Sequence, residues 1–208
     1  MPGISELIPY EYKQIRTPEY DQLIAYFQSR ASKSQQPRFV QVGGIPGAGK
    51  TTFCQQAHWD NGLFISFDKI MEMLPGYRQD LYKLGTAAAF EKWEIPARVI
   101  GYELLHRSIE KKYNICLEHS GVNTPHIQLV KSLKKCGYTT ELYFILCQPD
   151  LAYRRALERE KKTQRHTSRE MIDKRYSLVQ TYLPEYRQIV DKMYIYDTSN
   201  NVFALQSV

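Results

Sequence analysis

The sequence predicts an α/β fold: a mainly parallel five-stranded sheet with helices on both faces, in three layers. Three observations lead there. Short apolar runs alternate with longer helical segments along the chain, the pattern of repeated strand–helix units. A glycine-rich phosphate-binding signature lies between the first apolar run and the helix after it. Acidic residues follow the second and third runs, at the strand ends where ligands gather in open parallel sheets. With 208 residues, 43% of them hydrophobic, the chain can bury one sizeable core. We expect a single domain over residues 1–208, with residues 1–37 as a helical extension packed on it.

In chain order, residues 18–29 put Tyr20, Leu23, Ile24 and Phe27 on one helical face. The polar run Ser32-Lys33-Ser34-Gln35-Gln36-Pro37 leads into a first strand, Phe39-Val40-Gln41-Val42. Gly44-Ile45-Pro46-Gly47-Ala48-Gly49-Lys50-Thr51 then fits G-x-x-x-x-G-K-[ST], the P-loop, and residues 50–58 read as a helix without a breaker. Leu63-Phe64-Ile65-Ser66-Phe67 is a second strand ending at Asp68, and Pro75-Gly76 reads as a turn. A helical region over residues 86–112 should divide near Pro96, which lacks the N–H a helix needs. Asn114-Ile115-Cys116-Leu117 is a third strand ending at Glu118. Thr124-Pro125 starts a helix, a capping hydroxyl before proline at the first helical position, and Gly137 ends it. Leu142-Tyr143-Phe144-Ile145-Leu146 is a fourth strand, followed by a helix over residues 150–162. Thr167 with Glu170 forms a capping box for a helix reaching about residue 180, and Met193-Tyr194-Ile195-Tyr196 is the fifth strand.

Composition excludes some classes of function. No apolar run approaches the length that spans a bilayer, and Met1-Pro2-Gly3-Ile4-Ser5-Glu6-Leu7 lacks the basic and apolar regions of a signal peptide. Cys54, Cys116, Cys136 and Cys147 show no C-x-x-C spacing and read as reduced thiols, so cytosolic folding is expected, with secretion by a signal-less route left open. The formal charge of +6 suits anionic partners without singling out nucleic acid, and much of the basic character falls between residues 154 and 175.

The P-loop pattern carries its own chemistry. Its glycines permit a backbone whose N–H groups turn inward around a β-phosphate at the positive end of a helix. Gly44, Ile45, Pro46, Gly47, Ala48, Gly49, Lys50, Thr51 and Thr52 are therefore the candidate nucleoside-triphosphate site. Lys50 would reach the β- and γ-phosphates, and the Thr51 hydroxyl would complete a Mg²⁺ shell. Asp68 alone could be a helix N-cap. Beside a P-loop it becomes a candidate base that takes the proton of an attacking hydroxyl. Glu118 can bind Mg²⁺ or hold a substrate hydroxyl, or be a solvated strand-end charge. His119 is a weaker candidate for substrate contact, against a structural hydrogen-bonding role.

The last group is basic. Arg155 and Arg159 lie one turn apart on a predicted helix, Arg165 and His166 sit in the polar break after it, and Arg169 begins the next helix. Helix, basic loop, helix is the form of a lid whose guanidiniums neutralise charge on a transferring phosphoryl group. We read Arg154 as a solvated charge and Arg159 and Arg165 as lid residues.

Taken in order, these blocks resemble the zeta toxin family of P-loop kinases. The resemblance rests on residues 44–52, Ile65-Ser66-Phe67-Asp68-Lys69-Ile70, Leu74-Pro75-Gly76-Tyr77, and Leu117-Glu118-His119-Ser120-Gly121. It continues through Lys135-Cys136-Gly137-Tyr138, the arginines after Pro149, Arg165-His166-Thr167-Ser168 and Tyr196-Asp197-Thr198-Ser199-Asn200, covering about residues 38–200. It implies a nucleotide-kinase-like fold and ATP/Mg²⁺-dependent phosphoryl transfer, in a toxin or effector. Members phosphorylate the amino sugar of UDP-N-acetylglucosamine, and a related effector phosphorylates NAD. Asp68 then looks like the family's base, Lys50 and Thr51 like its phosphate and metal ligands, Glu118 like its acidic strand-end residue, and Arg159 and Arg165 like its lid arginines. His119-Ser120 departs from a Gly-Thr common in the family, which bears on the acceptor more than on the reaction. The short flanks leave no room for a fused antitoxin, so any antitoxin is expected as a separate protein.

Two other readings use the same residues. A polynucleotide or nucleoside kinase would share Asp68 and the lid and bind oligonucleotides with a steep salt dependence. A non-catalytic nucleotide switch would not need the Asp68 carboxylate, and the chain lacks both N-K-x-D and D-x-x-G.

Overall fold

The computed structural model describes residues 4–7, 17–57, 59, 62–163, 166–200 and 202–206. Its strands are β1 (Arg38–Gly44), β2 (Gly62–Ser66), β3 (Asn114–Glu118), β4 (Thr139–Leu146), β5 (Lys192–Asp197) and β6 (Ala204–Gln206). Its helices are α1 (Ile4–Leu7), α2 (Tyr20–Gln28), α3 (Lys50–Gln56), α4 (Phe67–Met73), α5 (Pro75–Leu84), α6 (Thr86–Glu110), α7 (Thr124–Lys135), α8 (Pro149–Thr163) and α9 (Arg169–Ile189).

The strands form one sheet in the order β2-β3-β1-β4-β5-β6. The first five are parallel, as the alternating pattern requires. The expected five-stranded sheet is corrected to six by β6, which pairs antiparallel with β5 at the edge. Its three residues are all exposed, so it has neither the length nor the apolar face that marks a strand in sequence. β1 is buried from Phe39 to Gly44 because both of its faces are covered, which is why it reads as an unbroken apolar run around Gln41.

Register shows which helices cover which face. Gln41 pairs with Leu142 and Val42 with Tyr143, so Gln41 and Tyr143 point to opposite faces. Phe53 of α3 meets the Tyr143 ring at 5.5 Å, and Tyr186 of α9 accepts a hydrogen bond from Gln41 Nε2 at 3.1 Å. Helices therefore sit on both faces, and the three layers follow. Tyr20, Leu23 and Ile24 of α2 belong to the same buried cluster as the sheet, with Phe27 packed at its margin.

Local chemistry corrects several expected boundaries. α6 runs unbroken for 25 residues through Pro96. Burial of Ala89, Ala97, Ile100, Leu104 and Leu105 along it outweighs a proline cost of about 3 kcal/mol. Pro75 opens α5 rather than a turn, since its ring presets the first helical residue, and Gly76 lies inside that helix against Trp93. Asn123, not Thr124, caps α7, its side chain accepting the His126 N–H at 3.0 Å. Gly137 ends α7 as expected, with Gly137 N bonded to Lys134 O and Tyr138 N to Leu133 O. α9 extends to Ile189, through Pro184, and is capped by Ser168 rather than Thr167.

Candidate active site

Three strand ends bring the chemistry together. Val42 of β1 and Ser66 of β2 both pair with Glu118, so the P-loop, the start of α4 and the end of β3 lie side by side at the carboxyl edge. They open on a cleft of about 400 Å³. Pro46, Gly47, Gly49, Lys50, Thr51 and Thr52 line its phosphate-loop side. Ile45 and Ala48 are 2% and 0% exposed, so their side chains anchor the loop in the core. Gly47 has φ 80° and lies so close to α8 that an added Cβ would stand 2.0 Å from the Ala152 carbonyl oxygen; only glycine fits there. Gly49 precedes α3 as its N-cap. Lys50 Nζ donates to the Ile45 carbonyl at 3.0 Å, which folds the ammonium back over the loop.

Thr51 and Glu118 form the second feature. Thr51 Oγ1 donates to Glu118 Oε1 at 2.6 Å, and Glu118 is only 7% exposed. Its other oxygen, Oε2, is buried without a hydrogen-bond partner. A buried carboxylate oxygen left unsatisfied is costly and points to a ligand not supplied by the protein. Two hard oxygen donors side by side fit Mg²⁺, which takes few protein ligands and completes its shell with water and substrate phosphates. Among the described residues no cluster of three or more His, Cys, Asp or Glu offers an all-protein metal cage.

Asp68 lines the same cleft. It is the second residue of α4, and the N-cap position belongs to Ser66, so the capping role does not describe Asp68. Arg155 and Arg159 of α8 line the cleft as well. Arg155 donates to Thr198, through Nη1 to Oγ1 at 3.1 Å and through Nη2 to the carbonyl at 2.7 Å. Arg159 Nη2 donates to Thr167 Oγ1 at 2.9 Å, and Thr167 is buried. That bond occupies the hydroxyl expected to cap α9 and leaves the cap to Ser168. His166 meets Glu160 at 3.0 Å across the break between α8 and α9. Arg165 lies outside the described residues, and Arg154 is exposed, as its solvated reading requires.

A model of the zeta toxin family matches residues 23–207. The chain belongs to the zeta toxin family. A solved structure from the PezAT chromosomal toxin-antitoxin system of Streptococcus pneumoniae is similar to it at TM-score 0.69 and 22% identity, over 89% of this chain and 80% of that one. The AvrRxo1-ORF1:-ORF2 complex with ATP is similar at TM-score 0.72 and 11% identity, over 99% of this chain and 67% of that one. At these identities the likeness concerns the fold. A search of the curated proteins found no match.

In this zeta toxin family chain, His119 also borders the cleft. Its Nδ1 accepts the Gly121 N–H at 3.1 Å, which puts the proton of the neutral ring on Nε2. The ring stacks on His126 at 4.1 Å and meets Phe67 edge-on at 5.6 Å. His126 Nδ1 bonds Asn123 Oδ1 at 2.7 Å, an oxygen that also accepts the His126 backbone N–H. The loop beneath is pinned by Tyr186, whose hydroxyl donates to the Gly121 carbonyl at 2.8 Å. Gly121 has φ 72°, and a Cβ there would fall 1.9 Å from Gln41 Nε2.

Burial pushes the His119 pKa well down, with help from His126, and pushes His126 down to about 3, with help from Arg98 and Arg175. Unfolded, both rings would protonate near the ordinary 6.5. Protons thus bind the unfolded chain more readily. Stability from these rings is complete above about pH 6.5 and falls as the pH drops below it. Urea denaturation at a series of pH values should show this acid slope, shallower in His126→Gln. Equal slopes would remove His126 from the linkage.

The structure adds residues that no local pattern announced. Phe90, Glu94 and Arg98 of α6 and Met171 and Arg175 of α9 line the same cleft, as a wall drawn from two helices. Arg98 Nη2 pairs with Glu94 Oε1 at 2.7 Å.

Proposed function

We propose that this zeta toxin family chain is an ATP- and Mg²⁺-dependent kinase that phosphorylates a hydroxyl of a nucleotide-containing small molecule such as UDP-N-acetylglucosamine or NAD. The observation that carries the reading is that Asp68 and Lys50 open into one cleft with the Thr51–Glu118 pair. The P-loop backbone and Lys50 bind the triphosphate, with Arg155 and Arg159, joined by Arg165, neutralising the γ-phosphoryl oxygens. Thr51 and Glu118 would hold Mg²⁺, which offsets charge on the β- and γ-phosphates when bound. Asp68 accepts the proton of the acceptor hydroxyl as its oxygen bonds the γ-phosphorus, the bond from that phosphorus to the β-γ bridging oxygen breaks, and ADP leaves. His119 offers its Nε2–H to the acceptor. We read residues 1–208 as one kinase domain with residues 1–37 packed on it, a reading that the burial of Tyr20, Leu23 and Ile24 in the shared cluster supports, while residues 1–3 and 8–16 lie outside the described residues.

Incubation with γ-labelled ATP, Mg²⁺ and a panel of UDP-sugars, NAD, nucleosides and oligonucleotides tests this directly. Label is expected on a UDP-sugar or on NAD. Label on an oligonucleotide or nucleoside would select the polynucleotide or nucleoside kinase instead, and a protein that labels none of them while binding ATP is no small-molecule kinase.

A further inference from the structure

We infer that the cleft contains a second anion subsite, formed by Arg98 of α6 and Arg175 of α9, which grips a phosphate group carried by the acceptor. The assignment of that anion to the acceptor rests on the kinase reading; the subsite itself does not.

Placement comes first. Both guanidiniums line the cleft, on helices other than those that supply Lys50, Arg155 and Arg159. They line the cleft together with His119 and Phe67 and lie outside the P-loop segment, so we assign this part of the cleft to the acceptor. Charge is the second observation. Arg98 shares its charge with Glu94, one turn earlier on the same helix. Among the described residues, Arg175 makes no ion pair and no hydrogen bond, although it is partly buried in this wall. Arg98 and Arg175 thus stand on this wall with Glu94 as the one carboxylate that α6 and α9 bring to the cleft.

Their charges are felt locally. Burial and the charge of Arg98 both disfavour the charged form of Arg175, while Glu94 only partly opposes them. Both arginines also disfavour protonation of His119 and His126. A guanidinium stays charged at neutral pH, so the repulsion is not relieved by losing a proton. It is relieved when an anion sits between the two. A carboxylate offers two coplanar oxygens and is satisfied by one fork. Forks arriving from two helices suit the tetrahedral oxygens of a phosphate or diphosphate.

The test titrates inorganic pyrophosphate calorimetrically into protein already saturated with Mg²⁺ and a non-hydrolysable ATP analogue, which blocks the P-loop. One further equivalent should bind. Arg175→Ala should weaken it by about 10- to 100-fold, the range for a lost charge-assisted bond, with thermal unfolding unchanged. Glu94→Gln should tighten it, because a competing carboxylate is gone, and a merely structural role for Glu94 predicts no such gain. Saturated wild-type protein that takes up no pyrophosphate, or Arg175→Ala that titrates like wild type, overturns the subsite. Citrate binding as tightly as pyrophosphate overturns the phosphate class. Pyrophosphate binding by a protein that labels nothing in the acceptor panel keeps the subsite and removes the kinase reading. Transfer to phosphate-free acceptors with undiminished kcat/KM keeps the kinase and removes the acceptor assignment.

Discussion

Asp68→Asn is expected to bind ATP like the parent and to transfer phosphate about two to four powers of ten more slowly, the cost of a lost general base. The substitution keeps the size and polarity of the side chain and removes only its capacity to accept a proton. Stability should hardly move. The N-cap of α4 is Ser66, and an acid in the first turn of a helix contributes about 0.3–1 kcal/mol through the helix dipole. Rate and stability thus separate the two readings of this residue. A variant with near-normal turnover and a lowered unfolding midpoint would show that Asp68 serves α4. A variant that is folded, binds nucleotide and is slow would place the carboxylate at the reacting hydroxyl. The switch reading predicts no functional change at all.

Much of this site was legible because its first half is local. The P-loop condenses glycines, lysine and threonine into eight consecutive residues, and the strand before it and helix after it fix their directions. Asp68 and Glu118 were legible for a related reason: an acid directly after a short apolar run has one place to go in a parallel sheet. Arg98 and Arg175 had no such address. Each sits inside a long helix among other charged residues, and only the packing of α6 and α9 around the cleft sets them on one wall. His119 was legible as a position but not as a chemical state. Its tautomer depends on the Gly121 N–H and its neutrality on burial beside His126, which no spacing encodes. The misplaced caps share one cause. Asn123 and Thr124 are both competent caps, as are Thr167 and Ser168, and tertiary bonds from Tyr182 and Arg159 engage the hydroxyls of Thr124 and Thr167.

Lys50→Ala should remove transfer by about 10²–10³-fold or more while the fold persists. The ammonium donates to the Ile45 carbonyl at 3.0 Å, and losing that hydrogen bond costs the loop about 1 kcal/mol. The core beneath does not depend on it, because Ile45 and Ala48 anchor the loop through burial. With triphosphate bound, the same charge is asked to follow the β- and γ-oxygens as negative charge shifts toward the leaving ADP. Arg155 is held by Thr198, whose hydroxyl also donates to the Ala48 carbonyl of the loop, and Arg159 is held by Thr167, so each guanidinium has its own anchor. Arginine at position 50 should not rescue activity either, since a planar fork does not fit a loop shaped around a point charge. Parallel measurement of nucleotide affinity, transfer rate and unfolding midpoint decides the matter. Turnover comparable to the parent in Lys50→Ala would mean that the phosphates lie elsewhere, and Thr51, Glu118 and Asp68 would then need another substrate.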